Sequence, residues 1–141
     1  MKKIVALLLI VVTAAFGVSA LAKNEVTVNF KGEKMGFDVS PFIENDATLM
    51  PVRAIFEASG ASVNWDSETK TVLIIDSKDD EQKFIILQIG NTDAFVDGEK
   101  KSLSVAPKIV GDRTFVPLRF IMETLGYEVL WDGNTRTVNI K

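Results

Sequence analysis

The stretch TLMPVRAIFEASGASVNWDSETKTVLI, residues 48–74, decides the fold of this chain, because a closely similar stretch follows 66 positions later. The second stretch, residues 114–140, reads TFVPLRFIMETLGYEVLWDGNTRTVNI. Aligned without a gap, residues 45–74 and 111–140 share 14 identities in 30 pairs. A repeat of this length predicts one structural unit present twice, over residues 26–74 and 92–140.

Each repeat is predicted to contain antiparallel β-strands packed around one short α-helix, which gives an α+β protein with two tandem copies. Apolar and polar residues alternate in VTVNF (residues 26–30), and MGFDV (35–39) is predicted as a second short strand. Asp97-Gly98 favours a two-residue hairpin turn, because glycine adopts positive φ without steric cost. No Ser- or Pro-rich linker separates the repeats, so we expect them to pack as one body.

Proline and glycine delimit the helix of each repeat. Pro51 and Pro117 are predicted at the first helical position, where a proline is tolerated. Gly60 and Gly126 stand where a left-handed C-terminal cap belongs. The sequence therefore predicts two helices of about nine residues, which need packing on a sheet for stability.

The two helices differ in their apolar stripes. The second has a complete stripe at Leu118, Ile121, Met122 and Leu125. The first keeps Val52, Ile55 and Phe56 but has Ser59 in the last place. We expect the first helix to be the less buried of the two.

Residues 1–22 have the pattern of a secretory signal peptide. Two lysines precede an apolar run, and Ala20-Leu21-Ala22 is a small-residue cleavage site. We expect cleavage before Lys23; the alternative is a retained membrane anchor, since the run is near the shortest that spans a bilayer. Residues 23–141 are then a secreted or cell-envelope-associated, extracellular domain.

Composition argues against several classes of function. Without residues 1–22, 14 basic and 19 acidic residues leave a net charge of −5, and the scattered basic residues argue against nucleic acid as a partner. The chain has no histidine and no cysteine. It therefore lacks the usual zinc and copper ligands, thiol nucleophiles and the Ser-His-Asp triad, and we expect no cofactor, metal site or catalytic residue.

Two repeated charged pairs have a structural interpretation and a functional one. Arg53 with Glu57, and Arg119 with Glu123, are four residues apart on the polar face of each helix. We expect surface ion pairs, with the arginines also reaching carbonyls of the following hairpin, rather than a binding ridge.

The alternatives for Trp65 and Trp131 are core anchors and stacking platforms for sugars or peptides. Their equivalent places next to an aspartate turn favour the core, where such a ring supplies a large share of a small domain's stability. A core position predicts that Trp131→Ala costs about 3–5 kcal/mol.

Acidic residues give no clear catalytic or metal site. The turn at residues 76–81 lacks the residue order of a calcium-binding loop and is interpreted as a solvated hairpin turn. A hydrolase would require two carboxylates about 5–10 Å apart in a cleft. No two acids occur in a context that indicates one, so we do not expect an enzyme.

The pattern P-[VL]-R-x-I-x-E-x-x-G-x-x-V-x-W-D-x-x-T-x-T-V-x-I, at residues 51–74 and 117–140, resembles the copper amine oxidase-like N-terminal domain. This domain, also called the stalk domain, occurs in secreted and surface proteins of Gram-positive bacteria. The resemblance covers nearly all of residues 23–141 and implies an α+β fold and an accessory role. Neither copper nor amine oxidation carries over, since the family's copper lies in a separate catalytic domain with histidine ligands.

Two functional hypotheses follow. The first is a non-catalytic, envelope-associated structural or interaction module, held by cell-wall polymer or a surface protein and touching membrane only through an uncleaved signal segment. The alternative is an extracellular carbohydrate- or peptide-binding protein that uses Phe37, Phe42 and Phe56, which have no aromatic counterparts in the second repeat. Exposed aromatic rings in a groove favour the alternative, and a smooth polar surface favours the first hypothesis.

Overall fold

Residues 25–141 are described by a computed structural model of the chain, and the predicted signal peptide, residues 1–22, lies outside the described part. The described residues form thirteen strands, two seven-residue α-helices and one 3-10 turn. The fold class is therefore α+β, as expected from the sequence. Neither of these two helices has the length and apolar character needed to cross a membrane.

The elements follow one another through short connections. In chain order they are β1 (Thr27–Phe30), β2 (Glu33–Lys34), β3 (Phe42–Glu44), β4 (Ala47–Pro51), α1 (Arg53–Ser59), β5 (Ser62–Asp66) and β6 (Thr71–Asp76). After the 3-10 turn at Lys78–Asp80 come β7 (Lys83–Gln88), β8 (Asp93–Val96), β9 (Glu99–Ser102), β10 (Lys108–Val110), β11 (Arg113–Pro117), α2 (Leu118–Thr124), β12 (Val129–Asp132) and β13 (Thr137–Ile140).

The strands form three sheets, and two of them join distant parts of the chain. Sheet A has the order β12-β13-β1-β2, sheet B the order β10-β11-β4-β3, and sheet C the order β5-β6-β7-β8-β9. In sheet A, β1 runs parallel to β13 and pairs Val28 with Val138. In the middle of sheet B, β4 runs antiparallel to β11 and pairs Met50 with Val116. The two halves of the described chain are thus held together by backbone hydrogen bonds.

One large apolar cluster lies between the sheets and the helices. It contains side chains from all three sheets, including Val28, Met50 and Ile74, which have no exposed surface. A smaller cluster contains Leu49, Val105 and Phe115, and the ring of Phe42 packs against it with its centroid 5.0 Å from that of Phe115.

The helices bury different amounts of apolar surface. Helix α2 places Leu118, Ile121 and Met122 in the core, whereas α1 buries only Ala54 and Ile55. The expectation that α1 is less buried is confirmed. The assignment of Phe56 to a buried stripe is wrong, because its side chain is 55% exposed.

The helix starts differ from the prediction, whereas the helix ends agree with it. Pro51 and Pro117 are the last residues of β4 and β11, so they do not occupy the first helical position. Their strands pair with each other up to the prolines, which delays each helix to the next one or two residues. Gly60 (φ 77°) and Gly126 (φ 96°) have the predicted left-handed conformation. Their N–H groups donate to helix carbonyls at 2.8 and 3.0 Å.

Most predicted turns are confirmed, but one strand is wrong. Asp97 and Gly98 both have positive φ in the β8–β9 hairpin. Residues 35–39 are not a strand, because pairing of β1 with β2 ends at Lys34.

A side-chain interaction ties the irregular segment after β2 to sheet B. Asp38 forms an ion pair with Arg113 of β11, whose Nε donates to Asp38 Oδ2 at 3.0 Å. The hydrogen bonds from Arg113 lower the pKa of Asp38, although both side chains are exposed.

We expect Met50→Ala to lower the free energy of unfolding by about 2–5 kcal/mol, because it empties a fully buried place at the centre of sheet B. Leu130→Ala, at a side chain that is 41% exposed, is the control and should cost less than about 1 kcal/mol. Urea denaturation followed by circular dichroism measures both changes. Equal losses, or two separate transitions in the parent chain, would contradict a core shared by both halves.

Candidate functional site

A cleft of about 500 Å³ opens between helix α2, the β12–β13 hairpin, the turn before β4 and the segment after β9. Its volume is within the range typical of small-ligand sites. The lining side chains are both apolar and polar. They are Ile43, Asp46, Ala47, Thr48, Ser102, Leu103, Ser104, Pro117, Leu118, Arg119, Phe120, Glu123, Val129, Trp131 and Val138.

Trp131 forms part of the cleft wall and is not buried. The strand register pairs it with Val138, which in turn pairs with Val28, so the indole lies on the core-facing side of sheet A. Nevertheless, 42% of its surface is exposed. Helix α2 has seven residues and is only about 10 Å long, so its cover extends over Val129 but leaves the end of the hairpin open. The prediction that Trp131 is a core anchor is therefore wrong.

Trp65 is exposed in the same way. It pairs with buried Val72 in sheet C, yet 43% of its surface is accessible, so its predicted core position is also wrong. The depression beside it is smaller, about 290 Å³, and is shared with residues of the β5–β6 hairpin and with Ile86. The two tryptophans are thus matched in exposure, but the depression that Trp65 lines is the smaller one and extends over the side of sheet C opposite to Val72.

Aspartate turns fix the position of both tryptophans. Asp66 accepts a hydrogen bond from the N–H of Glu68 at 2.9 Å, and Asp132 accepts one from Asn134 at 3.0 Å. Both are Asx turns, and they account for the aspartate turn that the sequence indicates after each tryptophan. Each turn follows its tryptophan directly and holds that residue near the end of a regular hairpin.

The predicted helix ion pair is confirmed in α2 only. Arg119 lies 3.7 Å from Glu123, and its Nη1 also donates to the carbonyl of Val129 at 3.0 Å. Within residues 25–141, no ion pair joins Arg53 to Glu57, so that half of the prediction is wrong. In the second half, the pair contributes a fixed charged edge to the cleft.

The cleft also has hydroxyl groups and a second carboxylate. Thr48, Ser102 and Ser104 line it, together with Asp46 in the turn before β4. Asp46 and Glu123 are the two acids of the lining, and both are exposed. Neither has the enclosed apolar surroundings typical of a general acid, so this arrangement suits hydrogen bonding to a polar ligand better than acid catalysis.

The three phenylalanines named in the alternative hypothesis do not come together. Phe37 packs against the large core cluster, Phe42 packs against the small one, and Phe56 is exposed on α1. The aromatic side chains of the cleft are instead Trp131 and Phe120, both in the second half of the chain. The predicted binding surface of the first repeat is therefore wrong in its residues.

The sequence profile described as copper amine oxidase N-terminal domain matches residues 29–140. The chain belongs to this family. By itself, this N-terminal domain is a non-catalytic module. Among curated proteins, no match was found.

The copper amine oxidase N-terminal domain described here does not offer the donor set that copper prefers. Copper sites in proteins are built mainly from imidazole and thiolate ligands. This chain contains no histidine and no cysteine, and no cluster of three or more acidic side chains suited to a metal occurs in residues 25–141. Copper therefore does not fit these residues, in spite of the family name.

We expect Trp131→Ala to reduce the free energy of unfolding of this domain by only about 1–2 kcal/mol, because the ring is nearly half exposed. Ile121→Ala, in the adjacent helix and fully buried, should cost about 2–5 kcal/mol. Urea denaturation of the two variants gives the comparison. If Trp131→Ala costs as much as Ile121→Ala, the indole is a core residue after all.

Proposed function

We propose that this chain is a non-catalytic, exported module that binds cell-wall glycan through the cleft beside Trp131. The exposed indole in a cleft of about 500 Å³ carries the proposal. A pyranose ring has one face made of C–H groups, which packs on an aromatic face, while its hydroxyl groups need hydrogen-bonding partners. An amphipathic ring beside polar groups therefore suits a sugar.

The polar groups of the cleft support a glycan as the ligand class. Ser102, Ser104 and Thr48 supply hydroxyl groups that both donate and accept hydrogen bonds. Arg119 is held by Glu123 and by the carbonyl of Val129, so it is oriented before a ligand arrives. A preoriented side chain loses less conformational entropy on binding than a free one.

A surface protein or peptide is the alternative partner, and the charged edge formed by Arg119 and Glu123 is the observation that favours it. Both groups are about half exposed, so they remain accessible to a partner's charges. In this alternative the module would still be envelope-associated and non-catalytic. The binding experiment below separates the two ligand classes.

The sequence and the order of the elements support a further part of the proposal, that the fold is a duplicated unit. The order from β1 to β6 recurs from β8 to β13, and corresponding elements begin 65 to 67 residues apart. Strand β7 has no counterpart and lies between β6 and β8 in sheet C. In this interpretation, the first hairpin of each half lies in the same sheet as the last hairpin of the other half: β1–β2 with β12–β13, and β8–β9 with β5–β6.

Purified cell-wall glycan should pull down residues 23–141, and Trp131→Ala should weaken this binding at least tenfold through loss of the stacking surface. Trp65→Ala is the matched control, because that side chain is equally exposed but lines only the smaller depression. Binding is measured by sedimentation with wall material and by titration of indole fluorescence with soluble wall fragments. Equal weakening by both substitutions, or none by Trp131→Ala, would contradict the assignment. Binding to a surface-protein fraction alone would favour the alternative.

Export predicts that the chain found outside the cell begins at Lys23. Mass spectrometry of the protein from medium and envelope fractions measures this N-terminus. Ala22→Trp should block processing, since signal peptidases need a small residue at that place, while Ala15→Leu, outside the cleavage site, should not. An extracellular chain that retains residues 1–22 would show that the segment is an anchor.

A further inference from the structure

The outward face of sheet C carries an exposed apolar surface, which we call the Ile86 face. It consists of Leu73, Ile75, Phe84, Ile86 and Phe95. Directly paired residues share one side of a sheet, and the register pairs Leu73 with Ile86, Ile86 with Phe95, and Ile75 with Phe84. The residues between them, including Ile74 and Ile85, point into the core and are fully buried.

Phe84, Ile86 and Phe95 are each about two-fifths exposed, so the face is open to solvent in the described chain. Strands β6 and β7 are apolar at consecutive positions, with VLII at 72–75 and FIIL at 84–87. Such continuous apolar runs are typical of strands covered on both faces, whereas a sheet with one wet face alternates. The sequence of these strands thus indicates a second cover beyond the core.

Sheet A shows that the fold does not require an apolar outward face. The positions 66 residues away from Leu73 and Phe95 are Asn139 and Asn29. These two asparagines are paired in sheet A, and Asn29 Nδ2 donates to Asn139 Oδ1 at 3.1 Å. Sheet A therefore has a hydrogen-bonded polar pair on its outward face, whereas sheet C has Leu73 and Phe95 on either side of Ile86.

The charges at the ends of the Ile86 face indicate what covers it. Asn64 and Asp66 of β5 lie at one end of the face, and Lys100 of β9, paired with Phe95, lies at the other. The ammonium group of Lys100 lies 3.7 Å from Asp93, and 66% of the Lys100 side chain is exposed, so a second carboxylate can still reach it. If a twofold axis lies between the two sheets and parallel to β7, strand β5 of each copy lies over strand β9 of the other copy. Asp66 of one copy would then approach Lys100 of the second copy at both ends of the interface.

We propose that the Ile86 face is the interface of a homodimer in which two copies of sheet C pack face to face. The two sheets would lie about 10 Å apart, as in β-sandwiches, with the five apolar side chains of each copy between them. A twofold arrangement suits this face because its apolar centre is self-complementary, one end has the carboxylate of Asp66, and the other end has the exposed ammonium group of Lys100. This surface is independent of the Trp131 cleft, so it does not rest on the proposed glycan binding.

The test is sedimentation equilibrium of residues 23–141 from about 1 to about 300 µM, where a self-association of modest affinity is visible. The parent chain should shift from monomer to dimer with concentration. The double variant Leu73→Asn, Phe95→Asn places at both positions the residue that occurs 66 positions away in sheet A, and asparagine is therefore compatible with strands of this fold. It should raise the dimer dissociation constant about a hundredfold or more, because each copy loses two apolar anchors.

The control is Ile109→Asn, which removes an apolar side chain of similar exposure from the edge strand β10 of sheet B. It should leave the dimer unchanged, and circular dichroism should show the same fold in all variants.

A parent chain that stays monomeric at the highest concentration overturns the proposal. A double variant that dimerises as strongly as the parent also overturns it, since the interface would lie elsewhere. A monomeric parent that binds phosphatidylcholine–phosphatidylglycerol vesicles through Phe95 would show a lipid in place of the second copy.

Discussion

The antiparallel pairing of β4 with β11 is the interaction on which the rest of the fold depends. It joins the two halves of the chain at Met50 and Val116, which have no exposed surface. Each strand ends in a proline, and a helix begins one or two residues later, so this pairing also fixes where both helices start. The helices then bring Ile55 and Ile121 into the same core. Without the pairing, neither short helix would have a sheet to pack on.

The cleft is a consequence of this arrangement, since both halves contribute its walls. The turn before β4 brings Asp46 and Thr48 to helix α2 and the β12–β13 hairpin, about 70 residues further along the chain. Small side chains, Ala47 and Ser104, keep this space open. The positions 66 residues away from them hold Arg113 and Asp38, which are ion-paired to each other. Two halves with similar sequences therefore differ in the space they leave for a ligand.

The same asymmetry occurs on the outward faces of the sheets. Asn29 and Asn139 form a polar pair on sheet A, whereas the corresponding surface of sheet C is apolar and includes the additional strand β7. A polar outward face forms hydrogen bonds with water. An apolar outward face is stabilised when a partner covers it, because apolar surface is then removed from water. Two halves with similar sequences can thus share one core while their outward surfaces differ in polarity.

The sequence by itself determined the elements that depend on local chemistry. Backbone preferences within a few residues account for the turn at Asp97-Gly98, the glycine caps at Gly60 and Gly126, and the Asx turns. The α+β class follows from the strands and helices that these features separate. The repeated motif also led to the family that matches residues 29–140. The predicted helix starts at Pro51 and Pro117 are wrong, because strand pairing between distant parts of the chain extends to both prolines.

Only the tertiary structure decided what covers each face. The equivalent places of both tryptophans beside an aspartate turn predicted core positions, but 43% of Trp65 and 42% of Trp131 are exposed. The exposure of Trp131 depends on the length of α2 and on the segments after β9 and before β4, which come from distant parts of the chain. Ser102 and Ser104 belong to the cleft for the same reason, and no local pattern marks them. Burial is a property of the packed whole, so residue spacing alone does not fix it.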